Sequence, residues 1–440
     1  MISNVRQDSS FSHNAGAGLS RRRFLQNAGM ALAAGLVCPA IVPARALGRD
    51  GHVAPSNRVA LGVVGVRQGW DSMSKCLRFD DVEGVGVCET DGNRLREKVS
   101  AVRRSANGKG VKGYKDFREM FAKAKLDAVI LAAPDHWHGI MAVAAARAGL
   151  DIYGEKPLAH TLVEGRAIVD AVRQHGRIWQ TGSWQRSGGN FRKAVNLVRN
   201  GLIGKLVRIE VGTHGHWGKR HGDKAVFDTP GDYDMWVGPA QWMPYNPRVT
   251  HYQWRWCLNY GGGNLMDWVG HHVDIAHWGA GFDATGPVKI SGTGEFSTDA
   301  PFDAEMTYSY ECTYANGVTM VVDSKSGTKF IGEDGKWIYV NRGKLDASDK
   351  SLLKFEPGPN DYHAYRSENH WRNFIDSVKT RRETVTPAEA AHRAASVGHL
   401  GHIAIMTGRT IHWDPVAETI KDDPGASALL HPVFRSPWTL

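Results

Sequence analysis

The chain has 440 residues, 42% hydrophobic and 22% charged, which suits a globular protein of more than one domain and excludes collagen-like, disordered and polytopic membrane classes. Residues 1–46 hold five Arg and one Asp, so the formal charge of +9 falls to +5 without them, and no basic run of the nucleic-acid-binding kind remains. None of the five Cys forms a CxxC pair, so no zinc ribbon is expected, and a chain this long can build its core without a disulfide framework.

Ser20-Arg21-Arg22-Arg23-Phe24-Leu25-Gln26 has the form of a twin-arginine export signal. A mild apolar stretch from Met30 to Val37 follows, then Ala44-Arg45-Ala46 as a small-residue cleavage site. The stretch is too short for a membrane span and is broken by Pro39, so no stable membrane insertion is expected after cleavage. The expected location is periplasmic, reached in the folded state through the translocation machinery.

Arg58–Val66 is an apolar run ending at a Gly turn, as a buried parallel strand does. Val82–Cys88 is predicted as a second strand, with Glu89 at its end. Leu126–Ala133 is a third, stopped by Pro134, and Asp151–Gly154 a fourth, stopped before Pro157. Helical patterns lie between them, notably Ile140–Ala148 and Val163–Val172. The alternation predicts a doubly wound α/β domain over residues 57–183. The rhythm then changes. Residues 205–212, 288–293, 305–314 and 318–323 are β-rich, with Asn316-Gly317 and Asp334-Gly335 as turns. Residues 184–440 are therefore expected to form an α+β domain with a mostly antiparallel open sheet. His370–Lys379 and Ala388–Ile405 are predicted as late helices packing back, and the last stretch as irregular.

A strand, a Gly turn, a helix and an acidic residue closing the next strand is the arrangement that binds dinucleotides. Gly65-Val66-Arg67-Gln68-Gly69-Trp70 departs from GxGxxG, as if one residue were lost before Arg67. Glu89, 24 residues after Gly65, is placed to accept ribose hydroxyls and would repel a 2′-phosphate, favouring NAD over NADP. An ordinary Gly turn with a surface Glu remains the plainer alternative. Further on, Glu155-Lys156-Pro157 closes a predicted strand, where ligands of such sheets bind. Gly261-Gly262-Gly263 precedes a segment that, if helical, puts Asp267 and His271 on one face, with Asp274 and Trp278 continuing the stripe. A Lys, a His and a carboxylate around a nicotinamide suit hydride transfer from an alcohol: one removes the hydroxyl proton, one polarises the oxygen, one orients the base.

Taken in order, the Gly turn, Ala133-Pro134-Asp135-His136-Trp137-His138, the Glu-Lys-Pro motif and the Asp-x-x-x-His segment resemble the Gfo/Idh/MocA oxidoreductases. Pro244-Tyr245-Asn246-Pro247 and Trp254-Arg255-Trp256 are similar to a branch rich in exported members. The resemblance implies a Rossmann domain, an open antiparallel sheet covering the nicotinamide, NAD(P), and sugar or polyol substrates. It assigns Lys156 to bridge nicotinamide ribose and substrate hydroxyl, His271 as general acid/base and Asp267 as its orienting partner. Pro134 and His138 would line the nicotinamide side, and Glu89 the adenosine ribose. Gly65, Arg67, Gln68 and Glu155 complete the expected cofactor contacts. His214, His216, Trp254 and Arg255 are candidate substrate contacts, while His277 is expected to pack. The many histidines follow no metal-ligand spacing, so no metal site is expected. The resemblance allows a homo-oligomer through the open sheet.

Free NAD is scarce outside the cytoplasm, so an exported enzyme implies a tightly held cofactor, reoxidised in place. A second sugar acceptor could do this. Transient oxidation followed by elimination, hydration and hydride return, as in NAD-dependent glycosidases or lyases, is the alternative. A non-catalytic sugar-binding protein is the rival of another class, suggested by Arg67 in the Gly-rich loop.

Overall fold

The computed structural model describes residues 53–213 and 227–440; the export segment, Cys38, His214, His216, Trp217 and His221 lie outside the described residues. Residues 57–440 pack as one unit built on two sheets. β1 (Val59–Val64), β2 (Val82–Cys88), β3 (Lys112–Tyr114), β4 (Ala128–Leu131), β5 (Asp151–Gly154) and β6 (Trp179–Thr181) form an all-parallel sheet in the order β3-β2-β1-β4-β5-β6. This is the Rossmann order, whose reversal beside β1 opens a crevice at the strands' carboxyl ends. β4 and β5 are buried at every position and β1 at all but Ala60, which is why they read as unbroken apolar runs. β3 and β6 have three residues each, too few for a pattern to show.

The second sheet contains β7 (Leu206–Thr213), β8 (Lys289–Phe296), β9 (Glu305–Thr313), β10 (Thr319–Asp323), β11 (Ser326–Gly332), β12 (Trp337–Asn341), β13 (Lys344–Ala347), β14 (Ile411–Asp414) and β15 (Thr419–Ile420). Its order is β13-β12-β11-β7-β10-β9-β8-β14-β15, antiparallel except for β7 beside β10. β9 alternates as a half-buried strand should: Tyr308, Tyr310 and Cys312 point inward, Thr307, Ser309 and Glu311 outward. The helix Ala388–Thr407 lies on the inner face, against β8 and β9 on one side and the helix Leu162–Gln174 on the other. Gly401 permits this, because a Cβ there would stand 2.7 Å from the Tyr310 ring. The last stretch is more ordered than its sequence suggests. β14 extends the sheet by pairing Ile411 with Ile290, and a short helix, Pro424–Ala428, follows β15. Elements of two to five residues carry no periodicity to read.

Among the described residues, all four cysteines are buried free thiols, no helix is long and apolar enough to cross a membrane, and no cluster of three metal-ligating side chains occurs.

Candidate active site

A cleft opens at the carboxyl ends of β1, β2 and β4. Gly65 makes its floor. Its φ is +79°, and a Cβ would collide with the Ala132 carbonyl oxygen at 2.4 Å. Gly69 lets the helix Gln68–Cys76 sit against the sheet, since a Cβ there would meet Val63 Cγ2 at 2.8 Å. Gly65 and Gly69 thus serve the tight turn and the close helix–sheet contact of a dinucleotide loop. Arg67, between them, is exposed, and its guanidinium lies 4.4 Å from the Tyr252 ring. Gln68 begins the helix, whose N-terminus faces the cleft that Arg67 and Gln68 both line.

Glu89 closes β2 with its carboxylate fixed. It accepts the Val66 and Asp91 N–H groups, each at 3.1 Å, and the Thr90 hydroxyl at 3.3 Å. Arg94, Lys115 and His251 line the same end. His251 adopts φ +68°, uncommon for a non-glycine residue, and its Nε2 lies 3.1 Å from Asp91 Oδ2. Nothing in the sequence announced that residue. The opposite wall carries Pro134, Trp236, Trp254 and Arg255. These residues fit a dinucleotide: a positive-φ Gly under a helix N-terminus, and a carboxylate at the ribose end.

Lys156 projects from the end of β5, 9% exposed, and donates to Asp267 Oδ1 at 2.6 Å and to the Asp267 carbonyl at 3.0 Å. Arg255 donates to the same Oδ1 at 3.2 Å and also lines the cleft, so it joins cofactor crevice and ion pair. Burial raises the Asp267 pKa, but Lys156 and Arg255 outweigh it and hold the carboxyl well below its usual range. Asp267 makes no hydrogen bond with His271, so it anchors Lys156 instead of orienting the imidazole as expected. The cause is a change of helical pitch. The α-helix Gly263–Trp268 gives way to a π turn, Val269–Val273, before helix Asp274–Ala280 resumes. The stripe predicted through Asp274 breaks there: Asp274 turns inward to a buried bidentate pair with Arg186 at 2.8 Å, which also binds Asp283. The π turn brings Gly270 against Lys156, where a Cβ would lie 2.7 Å from the Lys156 Cβ.

His271 is 7% exposed, and its Nδ1 is buried with no hydrogen-bond partner. Burial, then the charges of Lys156 and Arg342, hold its pKa well below the ordinary value, so the ring is neutral. Trp268 and Trp184 flank it, with ring centroids at 5.5 and 6.5 Å. His138 and Glu155 are not among the residues lining the cleft. Both His138 ring nitrogens face backbone carbonyls, Pro157 at 2.8 Å and Ala133 at 2.9 Å, so this side chain ties two strand ends together. Glu155 is buried against Gly182, and burial raises its carboxyl to about 7. His277, expected to pack, is buried with Nε2 2.7 Å from the Tyr314 hydroxyl. The Pro134–His138 segment is a clamp: His136 and Trp137 reach the Trp236 carbonyl at 3.2 and 3.1 Å, and Asp135 accepts the Gly262 N–H. Besides His251, sequence reasoning missed Asp135, Arg186 and Arg342. Asp135 stood within a motif already in view, but its hydrogen-bond partner, Gly262, comes from more than 100 residues away.

Residues 59–183 match the family model described as oxidoreductase family, NAD-binding Rossmann fold, and residues 188–440 that described as oxidoreductase family, C-terminal alpha/beta domain. A glycosyl hydrolase family 109 protein of Shewanella pealeana is 28% identical over 207 residues, 44% of this chain and 45% of that protein. The chain thus spans less than half that relative's length. A glycosyl hydrolase family 109 protein of Stenotrophomonas maltophilia is 26% identical over 73% of this chain and 74% of its own. The WlbA dehydrogenase from Bordetella pertussis, solved in complex with NADH and UDP-GlcNAcA, shares the fold at TM-score 0.60 and 17% identity, covering 81% of this chain and 99% of that one.

Proposed function

The chain belongs to the Gfo/Idh/MocA oxidoreductase family, and we propose that it is an exported, NAD-dependent enzyme that oxidises a hydroxyl of a sugar or polyol and retains its cofactor. The observation that carries this reading is the Lys156–Asp267 pair, 2.6 Å apart, coupled through Arg255 to the dinucleotide-shaped cleft and standing beside a neutral, unpartnered His271. Gly65, the helix N-terminus at Gln68 and Glu89 would hold the dinucleotide, which supplies the hydride acceptor when bound. Glu89, already bound to two backbone N–H groups, favours ribose hydroxyls over a 2′-phosphate. Asp267 and Arg255 keep the Lys156 ammonium in place, where it donates to the substrate oxygen. Neutral His271 accepts the hydroxyl proton.

The twin-arginine segment, Arg21-Arg22 with its apolar run, supports export, and a cofactor carried out with the folded protein follows from it. A second reading draws on the names of the relatives from Shewanella and Stenotrophomonas, both glycosyl hydrolase family 109 proteins. In it, oxidation is transient and the net reaction is glycoside hydrolysis. Sugar release from an aryl glycoside with no added acceptor marks this route, and consumption of a ketone acceptor marks the first.

The test begins with dinucleotide released by denaturing the purified protein. About one equivalent of NAD(H) per chain is expected. Lys156→Ala is expected to keep that dinucleotide and lose roughly 10²–10⁴-fold in turnover. A chain that neither contains nor rebinds NAD or NADP, or a Lys156→Ala variant with unchanged turnover, would remove the assignment.

A further inference from the structure

Arg342 stands on the turn between β12 and β13, and its guanidinium lies over two indoles, 4.9 Å from the Trp184 ring and 4.7 Å from that of Trp268. These rings also flank His271. Cation and imidazole therefore share one aromatic wall, and the Arg342 charge is felt at both His271 and Asp267.

Two arginines near the site pair with carboxylates: Arg255 with Asp267, which Lys156 shares, and Arg186 with Asp274 and Asp283. Arg342 does not. Among the described residues its hydrogen bond is from Nε to Gln185 Oε1 at 3.2 Å, and no carboxylate pairs with it. Gln185 is fully buried, so this bond and the two indoles fix the guanidinium plane. Neither terminal amino group has a hydrogen-bond partner among the described residues. A fork held in this way matches the two oxygens of a carboxylate or phosphate. A neutral polyol offers this fork no matching pair of charged oxygens.

We propose that Arg342 selects an anionic sugar, one carrying a carboxylate or phosphate away from the reacting hydroxyl. The inference rests on the substrate site assigned above and narrows its ligand class.

Glucuronate, glucose 6-phosphate and glucose are titrated calorimetrically into the full chain with its dinucleotide bound, a readout that needs no turnover. At least one anion is expected to bind roughly tenfold more tightly than glucose; which one does so distinguishes carboxylate from phosphate. Arg342→Leu is expected to reduce that preference to about twofold or less, and Arg342→Lys, which keeps charge without the fork, to retain part of it. Arg342 lies on an exposed turn, and dinucleotide content reports independently that each variant has folded. Failure of both anions to bind, equal binding of all three sugars, or a preference that survives Arg342→Leu overturns the proposal. Anion preference without hydride transfer to any acceptor would leave the anion site standing and sink the oxidoreductase reading.

Discussion

Asp135 is 4% exposed and lies in the field of Lys156, Arg255 and Asp267. Burial raises its carboxyl from 3.8 to about 8; the Asp267 charge adds to this, while Arg255 and Lys156 act against it. At neutral pH it is therefore largely protonated, which lets one more carboxyl sit beside the Lys156–Asp267 pair without a second negative charge. The folded state then binds more protons than the unfolded chain between about pH 4 and pH 8, so this group's contribution to stability falls as pH rises through that window. The slope is at most about 1.4 kcal/mol per pH unit. Asp135→Asn cannot ionise and is expected to flatten it, as read from urea midpoints at pH 5 and pH 8. Parallel pH dependence in the two proteins would mean that Asp135 ionises normally. At this scale the sequence supplied the residues, not their partners. The run Asp135-His136-Trp137-His138 is conspicuous, yet its clamp closes on Trp236, Tyr260 and Gly262, which no local pattern connects to it. Likewise, nothing near Arg342 indicates Trp184 as its neighbour.

The π turn Val269–Val273 is the element that sets the site, because it aims His271 at the aromatic wall while Asp267, one turn earlier, meets Lys156. Something must hold the helix beyond it. Arg186 and Asp274 are each 2% exposed and joined by two hydrogen bonds of 2.8 Å, and Asp283 binds the same guanidinium. Removing one member of such a pair leaves a buried charge uncompensated, at about 3–5 kcal/mol. Arg186→Met is expected to lower unfolding free energy by about that amount and to weaken turnover through His271. A shift below about 1 kcal/mol would mean that Asp274 is neutral in the fold and that the anchor is not ionic. Sequence reading reached the long elements here and missed the break. β1, β2, β4 and β5 announce themselves as apolar runs, whereas a single extra residue in one helical turn changes no hydrophobic pattern.

For the whole molecule, the distant C-terminal helix decides whether the parallel sheet can exist alone. Phe374, Ile375 and Val378 of the helix His370–Thr380 bury themselves in the same cluster as Val59, Leu61, Val63, Met73 and Tyr153. Each is a side chain whose burial stabilises by about 1.5–3 kcal/mol. Arg372 adds a bidentate pair to Asp81 at 2.7 and 3.1 Å, and the Thr181 N–H donates to the Thr386 carbonyl at 3.0 Å, capping the β6 edge. The cleft's far wall, Trp236 and Trp254, also comes from beyond the parallel sheet. A fragment ending at residue 183 would expose an apolar sheet face and an open edge, and would lack half the cofactor crevice. It is expected to aggregate or to show no cooperative transition, and to retain no dinucleotide. The full chain is expected to unfold in one transition, with dinucleotide release and loss of near-UV circular dichroism at the same urea concentration. A soluble fragment that binds NAD, or release of dinucleotide well before the helical signal falls, would show that the two sheets are energetically separate despite their shared core.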